Sequence, residues 1–138
     1  MGVKVAVVGA GSTYTPELVE GFVRRIERFP VDELALLDVD GDRLDVVGRL
    51  AGRMLDRAGY GGHLILTTDR DEALEGAGFV IVQLRVGGQA ARLSDETIPP
   101  RFGCVGQETT GPGGFAKALR TIPVVLELAG LTARRGAP

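Results

Sequence analysis

Residues 3–16 read V-K-V-A-V-V-G-A-G-S-T-Y-T-P, and this stretch decides the predicted fold. An apolar strand over 3–8 runs directly into a glycine turn and then into a helix. Gly9 lets the chain turn sharply off the strand, and Gly11 has no Cβ that would hold a phosphate away from the backbone. A strand, a glycine turn and a helix start in this order predict a site for the pyrophosphate of a dinucleotide, with free N–H groups facing the anion.

The glycine signature of this turn is incomplete. In the usual pattern G-x-G-x-x-G a third glycine allows close packing of the helix on the strand, but here Tyr14 stands at that position. A bare G-x-G has many chance matches. An ordinary strand-to-helix turn is therefore the alternative interpretation of this stretch taken by itself.

Composition excludes several classes of protein. The chain has 138 residues, 44% of them apolar, and a formal net charge of only -2, which predicts one globular domain with no nucleic-acid partner and no membrane partner. The N-terminus shows no pattern of a secretory signal. Cys104 is the single cysteine, so no internal disulfide can form, and a lone thiol is typical of a reducing compartment. We expect a cytoplasmic protein.

Strand-like and helix-like patterns alternate along the chain. In order they are a strand over 3–8, a helix over 16–29, a strand over 34–37, a helix over 44–58, a strand over 63–67, a short helix over 69–74, a strand over 79–83 and a helix over 117–133. Thr15 and Asp40 are the expected N-caps of the first two helices, and Gly59 is expected to end the second. The alternation predicts an α/β fold, a Rossmann-like doubly wound parallel sheet of strand order 3-2-1-4 with flanking helices.

Asp38 is the second informative residue, because it ends the second predicted strand. An acidic side chain at this place accepts hydrogen bonds from the adenosine ribose hydroxyls and repels a 2′-phosphate, so the sequence favours NAD over NADP as the cofactor. The alternative interpretation is that Asp38 only caps the helix that begins near Asp40.

Two segments that follow the fourth strand are unusual for a plain nucleotide-binding fold. Residues 84–92 carry Arg85, Arg92 and two glycines at the expected ligand-binding edge of the sheet, where guanidinium groups suit an anionic substrate. Solvated surface arginines are the alternative interpretation. Residues 103–114 are polar and rich in glycine, and we expect them to form a functional loop.

Five motifs together resemble one family. They are G-A-G-S-T-Y-T-P-E-L at 9–18, R-V-G-G-x-A-A-R at 85–92, D-E-x-I-P at 95–99, G-Q-E-T-T-G-P-G-G at 106–114 and A-L-R-T-I-P at 118–123. In this order they resemble the NAD-dependent glycoside hydrolases of family 4, and within that family most of all the 6-phospho-β-glucosidases. The resemblance covers essentially the whole chain.

The resemblance implies a chemistry outside the usual two-carboxylate scheme of glycosidases. NAD takes a hydride from C3 of the sugar, a tyrosine base removes the acidified C2 proton, and the group on C1 is eliminated. A divalent metal ion, usually manganese, polarises the C3 oxygen. Water then adds to the alkene and the hydride returns, so the net reaction is hydrolysis of a phosphorylated glycoside.

The resemblance also implies site residues. Arg92 matches an arginine that contacts the phosphorylated sugar, and Glu108 matches a carboxylate that raises the basicity of the catalytic tyrosine. No metal ligand is expected in this chain, since neither His63 nor Cys104 matches one. The implied nucleotide contacts are Gly9, Gly11, Ser12, Thr13, Asp38, Thr68 and Asp69.

Residues 1–138 are thus expected to be the N-terminal NAD-binding domain of such an enzyme, with the catalytic and metal-binding C-terminal domain absent from the chain. Alone, the chain is predicted to be inactive, and the full-length enzyme is expected to be a homo-oligomer. Two alternatives stay open: a stand-alone NAD-binding regulatory module, and a fragment of an oxidoreductase like the 2-hydroxy-acid dehydrogenases.

Overall fold

The computed structural model describes residues 2–136, which divide into two compact units. The first, which we call the sheet unit, contains the chain up to Leu84 and again from Leu131 onward. The second, which we call the helical unit, is Arg85–Gly130. The glycine turn at 9–11 therefore belongs to the sheet unit.

The sheet unit contains four strands and three helices. In chain order they are β1 (Val3–Val8), α1 (Thr15–Val23), β2 (Val31–Leu37), α2 (Gly41–Arg57), β3 (His63–Thr67), α3 (Arg70–Leu74) and β4 (Phe79–Val82). All strand pairs are parallel and the order across the sheet is β3-β2-β1-β4. The predicted Rossmann-like sheet with strand order 3-2-1-4 is confirmed.

The two central strands are buried because their apolar residues are consecutive rather than alternating. The runs 5–8 in β1 and 34–37 in β2 are buried at every position, which means that both faces of the sheet are covered. On one face, Val5 and Val7 pair in register with Leu34 and Leu36. Val19 of α1 and residues of α2 complete this cluster.

Helix α1 differs from its prediction at both ends. Its N-cap is Tyr14, whose side chain makes no capping bond, and Thr15 is already inside the helix. The Thr15 hydroxyl instead donates to the Ala10 carbonyl at 2.8 Å and accepts from Gln83 Nε2 at 2.7 Å. The helix ends at Val23 rather than at Phe29, and the chain continues in turns with bonds between residues three apart.

Helix α2 forms as predicted. The Asp40 side chain caps it by accepting from the backbone N–H of Arg43 at 3.1 Å. Gly59, with φ +69°, follows the C-cap residue Ala58.

Strand β2 begins three residues earlier than predicted, at Val31, where it pairs with Val3 of β1.

The helical unit contains α4 (Gly88–Thr97), a short 3₁₀ helix (Pro99–Phe102) and the part of α5 (Gly111–Arg135) that ends at Gly130. The sequence did not predict α4, and α5 begins six residues before the predicted start. Gly111 to Gly114, assigned to a loop, are its first turn. A Cβ on Gly113 would lie 2.5 Å from the Asp95 carbonyl oxygen, so this glycine lets the helix approach the backbone of α4 closely.

Pro123 lies inside α5 without ending it. Although α5 has 25 residues, no helix within residues 2–136 combines the length and the apolar composition needed to cross a bilayer.

Candidate functional site

The glycine turn follows β1 in the sheet unit, and its geometry depends on both glycines. Gly9 has φ +90°, and a Cβ there would lie 2.9 Å from the backbone of Gln83 and of Leu84. A Cβ on Gly11 would lie 2.9 Å from the Asp38 carboxylate. At Gly9 the close atoms are backbone atoms, so glycine is structurally required there. At Gly11 they belong to the Asp38 side chain, so a Cβ would displace the Asp38 carboxylate.

Protein donors bind three successive carbonyl groups of this turn. Gln83 Nε2 donates to the Gly9 oxygen at 3.3 Å, and the Thr15 hydroxyl binds the Ala10 oxygen. Arg43 Nη2 donates to the Gly11 oxygen at 3.1 Å. These acceptors are thus already engaged within the protein, so their capacity to repel an anion is reduced. Neither Gln83 nor Arg43 stood out in the sequence, because only the tertiary structure brings them to the turn.

The N–H groups of the turn are mostly engaged as well. Those of Gly9 and Ala10 both donate to the Leu37 oxygen at 2.9 Å, and that of Ser12 donates to the Gly9 oxygen at 3.2 Å. Within residues 2–136, the N–H of Thr13 has no protein acceptor. The expectation of several free amides is therefore corrected to this one, together with the hydroxyls of Ser12 and Thr13.

Asp38 directly follows β2 and bonds to the glycine turn. Its Oδ2 accepts from the Gly11 N–H at 2.7 Å, and its Oδ1 accepts from the Asp40 N–H at 3.0 Å. Each carboxylate oxygen can accept a further hydrogen bond, so both remain available to a ribose hydroxyl. Since Asp40 is the N-cap of α2, the alternative interpretation of Asp38 as the helix cap is wrong.

Thr68 and Asp69 follow β3 in the sheet unit. Thr68 is exposed and its methyl carbon would lie 3.7 Å from a Cβ on Gly41, at the start of α2. The Asp69 carboxylate caps α3 by accepting from the N–H groups of Asp71 and Glu72, at 2.8 and 3.3 Å. This capping accounts for Asp69 without a ligand. A nucleotide contact by either residue stays a prediction.

In the helical unit, three cations surround one carboxylate oxygen of Glu108. Arg85 Nη1 donates a short hydrogen bond to Oε2, while Arg92 Nε lies 3.5 Å and Lys117 Nζ 4.0 Å from the same atom. Arg92 also donates to Glu96 at 2.8 Å. We call these five residues the Glu108 cluster.

The hydrogen bond from Arg85 holds the pKa of the Glu108 carboxyl below its usual range, and the charges of Arg85, Arg92 and Lys117 act in the same direction. Glu108 is therefore ionised at neutral pH. Within these five residues three cations outnumber two carboxylates, and the charges of Lys117 and Arg85 also act on Asp95. Such a cluster can attract an anionic group.

A second ion pair in this unit joins a buried carboxylate to a half-buried guanidinium. Asp95 on α4 has 5% of its surface exposed, and Arg120 on α5 binds both of its oxygens, at 3.0 and 2.5 Å. The Arg120 Nε is also buried and lacks an acceptor among the described residues. Both residues lie within the motifs that carry the family resemblance, but nothing in the sequence by itself showed that they pair.

His63 and Cys104, neither of which was expected to be a metal ligand, are exposed. His63 is at the start of β3, and Cys104 follows the 3₁₀ helix. Among residues 2–136, no three side chains of His, Cys, Asp or Glu come together in a way that could hold a metal ion. The donor set therefore does not fit a metal site in the described part of the chain.

Replacing Arg85 by alanine is expected to raise the pKa of Glu108 toward the ordinary glutamate value of about 4.3, because the strongest stabilising hydrogen bond is lost. Titration of ¹³C-labelled glutamate carboxyls by NMR measures this directly. Lys117→Ala is the matched variant: it removes a cation 4.0 Å away and should shift the pKa less. A Glu108 titration that Arg85→Ala leaves unchanged would show that Arg85 does not hold the carboxylate.

Comparison with known proteins finds one family. The sequence model described as "Family 4 glycosyl hydrolase" matches residues 4–133. A probable 6-phospho-β-glucosidase of Bacillus subtilis is 53% identical over 130 residues, which are 93% of this chain and 29% of that protein.

Solved structures of related proteins agree with this family match. A 6-phospho-β-glucosidase from Thermotoga maritima, determined with manganese, NAD⁺ and glucose-6-phosphate, superposes with a TM-score of 0.90 at 36% identity, over 96% of this chain and 31% of that one. A 6-phospho-α-glucosidase from gut microorganisms, in complex with NAD and glucose-6-phosphate, has a TM-score of 0.94 at 32% identity, over 99% and 32%. This chain thus spans about three tenths of the length of these relatives.

Proposed function

Since this chain belongs to family 4 of the glycosyl hydrolases, we propose that it is the NAD-binding domain of a 6-phospho-β-glucosidase. The observation that carries the proposal is the bond between Asp38 Oδ2 and the Gly11 N–H, which joins the end of β2 to the glycine turn. This geometry supports a role of Asp38 as a ribose acceptor next to a phosphate-binding turn. Family membership disfavours the alternative of a fragment of a 2-hydroxy-acid dehydrogenase.

The residues of the turn fit NAD. The two glycines leave open the space that side chains would fill, and the carbonyls of Gly9, Ala10 and Gly11 are bound by protein donors. The Thr13 N–H and the neighbouring hydroxyls would bind the diphosphate, assisted by the N-terminus of α1. Asp38 would orient the adenosine ribose and exclude a 2′-phosphate.

Bound NAD would supply the hydride acceptor and donor for the sugar. The residues of the sheet unit bind and orient the cofactor, and they do not react with the sugar themselves. A manganese ion is present in the structure of the T. maritima relative. The described residues of this chain offer no cluster of ligands for such an ion, and the roles that we propose for them concern the nucleotide and the sugar.

In the helical unit, Arg92 would contact the phosphorylated sugar. The excess positive charge of the Glu108 cluster supports an anionic substrate, since guanidinium groups bind phosphate well. The β configuration is supported by 53% and 52% identity to two 6-phospho-β-glucosidase relatives, against 43% to a 6-phospho-α-glucosidase relative.

The effect of Glu108 on a tyrosine base stays a prediction. The surroundings of Glu108 indicate how strongly its charge can raise the pKa of such a tyrosine. A carboxylate near a phenol raises the pKa of the phenol by repelling the phenolate. Here the Glu108 charge is offset by Arg85, Arg92 and Lys117. The field that it can exert on a tyrosine is therefore smaller than that of an unpaired carboxylate.

The remaining expectations also stay predictions. They are the cytoplasmic location, which a phosphorylated sugar substrate supports, and the homo-oligomeric state of a full-length enzyme. We further expect the chain by itself to bind NAD without cleaving 4-nitrophenyl 6-phosphoglucoside.

Asp38→Ala is expected to weaken NAD binding by about tenfold or more, because it removes both the ribose acceptor and the bond to the Gly11 N–H. It should also relax the discrimination against NADP, since the repelling charge is gone. Isothermal titration of the purified chain with NAD and with NADP measures both effects.

Asp42→Asn is the matched control, because it removes an acidic charge in the first turn of α2, outside the proposed site. Its NAD affinity should equal that of the wild type. If the wild-type chain takes up no NAD at saturating concentration, the proposed function fails. If Asp38→Ala binds both nucleotides as the wild type does, the assignment of Asp38 fails alone.

A further inference from the structure

Arg43 lies beside Asp38 at the same glycine. A Cβ built on Gly11 would lie 2.9 Å from the Asp38 Oδ2 and 3.1 Å from the Arg43 Cβ, so both side chains flank the same backbone atom. Asp38 binds the Gly11 N–H, and Arg43 Nη2 binds the Gly11 oxygen at 3.1 Å. The second glycine of the turn is therefore held at both ends, by a carboxylate and by a guanidinium.

Helix α2 fixes the position of Arg43. The Arg43 backbone N–H is the group that the Asp40 side chain caps, so this residue lies in the first turn of α2, directly after β2. A single hydrogen bond to a carbonyl uses only part of a guanidinium, which has five N–H donors. The remaining donors can bind a phosphate in the bidentate manner that arginine favours.

The charges at this place have opposite consequences for the two nicotinamide dinucleotides. A carboxylate at the end of β2 accepts from the 2′-hydroxyl of NAD and repels the 2′-phosphate of NADP, whereas a neighbouring arginine accommodates that phosphate. This chain carries both groups around one glycine.

We propose that Arg43 is a specificity-determining residue whose guanidinium is suited to bind a 2′-phosphate. In the wild type the Asp38 carboxylate prevents this binding because it repels the phosphate. The proposal rests on the proposed binding of NAD at the glycine turn. The proposal predicts that selectivity for NAD over NADP depends on the Asp38 carboxylate alone. Removing this carboxylate should do more than abolish the discrimination against NADP. The affinity for NADP rises because a cation is already in place to bind the additional phosphate.

The test compares Asp38→Ala with Asp38→Ala/Arg43→Met by isothermal titration with NAD and NADP. The ratio of NADP affinity to NAD affinity is the quantity measured, because any loosening of the turn affects both nucleotides and cancels. We expect this ratio to be about tenfold higher when Arg43 is present, the difference expected for one charged contact to phosphate. Asp38→Ala/Arg43→Lys should keep part of the gain, since the charge is retained.

Asp38→Ala/Arg49→Met is the matched control, because Arg49 is an exposed arginine of the same helix that pairs with Asp45. Its ratio should equal that of Asp38→Ala. Equal ratios with and without Arg43, in a wild-type background that binds NAD, overturn the role of Arg43 and leave the proposed function standing. A wild-type chain that binds neither nucleotide overturns both.

Discussion

Gly9→Ala is expected to lower the free energy of unfolding by about 3 kcal/mol and to abolish NAD binding. An alanine at φ +90° is strained, and its Cβ would lie 2.9 Å from three backbone atoms of Gln83 and Leu84. Because backbone atoms at the end of β4 cannot rotate away, the strand or the turn has to shift. Urea unfolding monitored by circular dichroism measures the loss, and NAD titration measures the damage to the site.

Gly59→Ala separates the effect of backbone strain at positive φ from the effect of a steric clash of the Cβ. Gly59 has φ +69°, but a Cβ there meets no atom within 4 Å, so the substitution adds strain without a clash. It should cost about 1 kcal/mol and leave NAD binding intact. If both variants lose the same stability, close packing of the glycine turn against β4 is not what requires Gly9.

Asp95→Asn is expected to lower the melting temperature by about 5 °C, because it leaves the half-buried Arg120 guanidinium without its anion. Arg120 binds both Asp95 oxygens, and its Nε already lacks an acceptor among the described residues. Differential scanning calorimetry measures the change. Asp45→Asn is the matched control, since it breaks an exposed pair with Arg49 and should have little effect.

The pH dependence of the free energy of unfolding gives a second measurement on the Asp95–Arg120 pair. The hydrogen bond from Arg120 holds the pKa of Asp95 below its ordinary value. The stabilisation is therefore complete above about pH 4, the ordinary carboxyl pKa, and is lost as the pH falls through the lower pKa of the folded state. The wild type should lose more stability on acidification than Asp95→Asn.

A double variant tests the cause of the loss. Asp95→Leu/Arg120→Met removes both charges and keeps similar volume, so it should recover most of the stability that Asp95→Asn loses. A double variant as unstable as Asp95→Asn would indicate that packing at this position, and not the unpaired charge, is responsible.

Most of the sheet unit could be predicted because its signals are local. The consecutive apolar residues of β1 and β2 indicated buried parallel strands, and the strand order followed from strands that alternate with helices. Asp40 and Gly59 marked the ends of α2 through the conformations that their own side chains favour or permit.

The helical unit was predicted poorly because its glycines were assigned to loops. Gly87 and Gly88 have φ of +83° and +61°, and they turn the chain into α4, a helix that the sequence pattern did not predict. Gly113 lies in the first turn of α5, where it approaches the backbone of α4. A glycine needed for close packing and one needed for a turn have the same appearance in a single sequence.

The sequence by itself determined which residues can turn the chain at 9–11, which strands are buried and which acidic residue follows β2, since these depend on residue type and on neighbours along the chain. Only the tertiary structure decided which distant side chains reach them. Arg43 binds Gly11 across 32 residues, Gln83 binds Gly9 across 74, and Asp95 pairs with Arg120 across 25. Such contacts form because folded elements bring polar groups to buried partners, and residue spacing does not encode them.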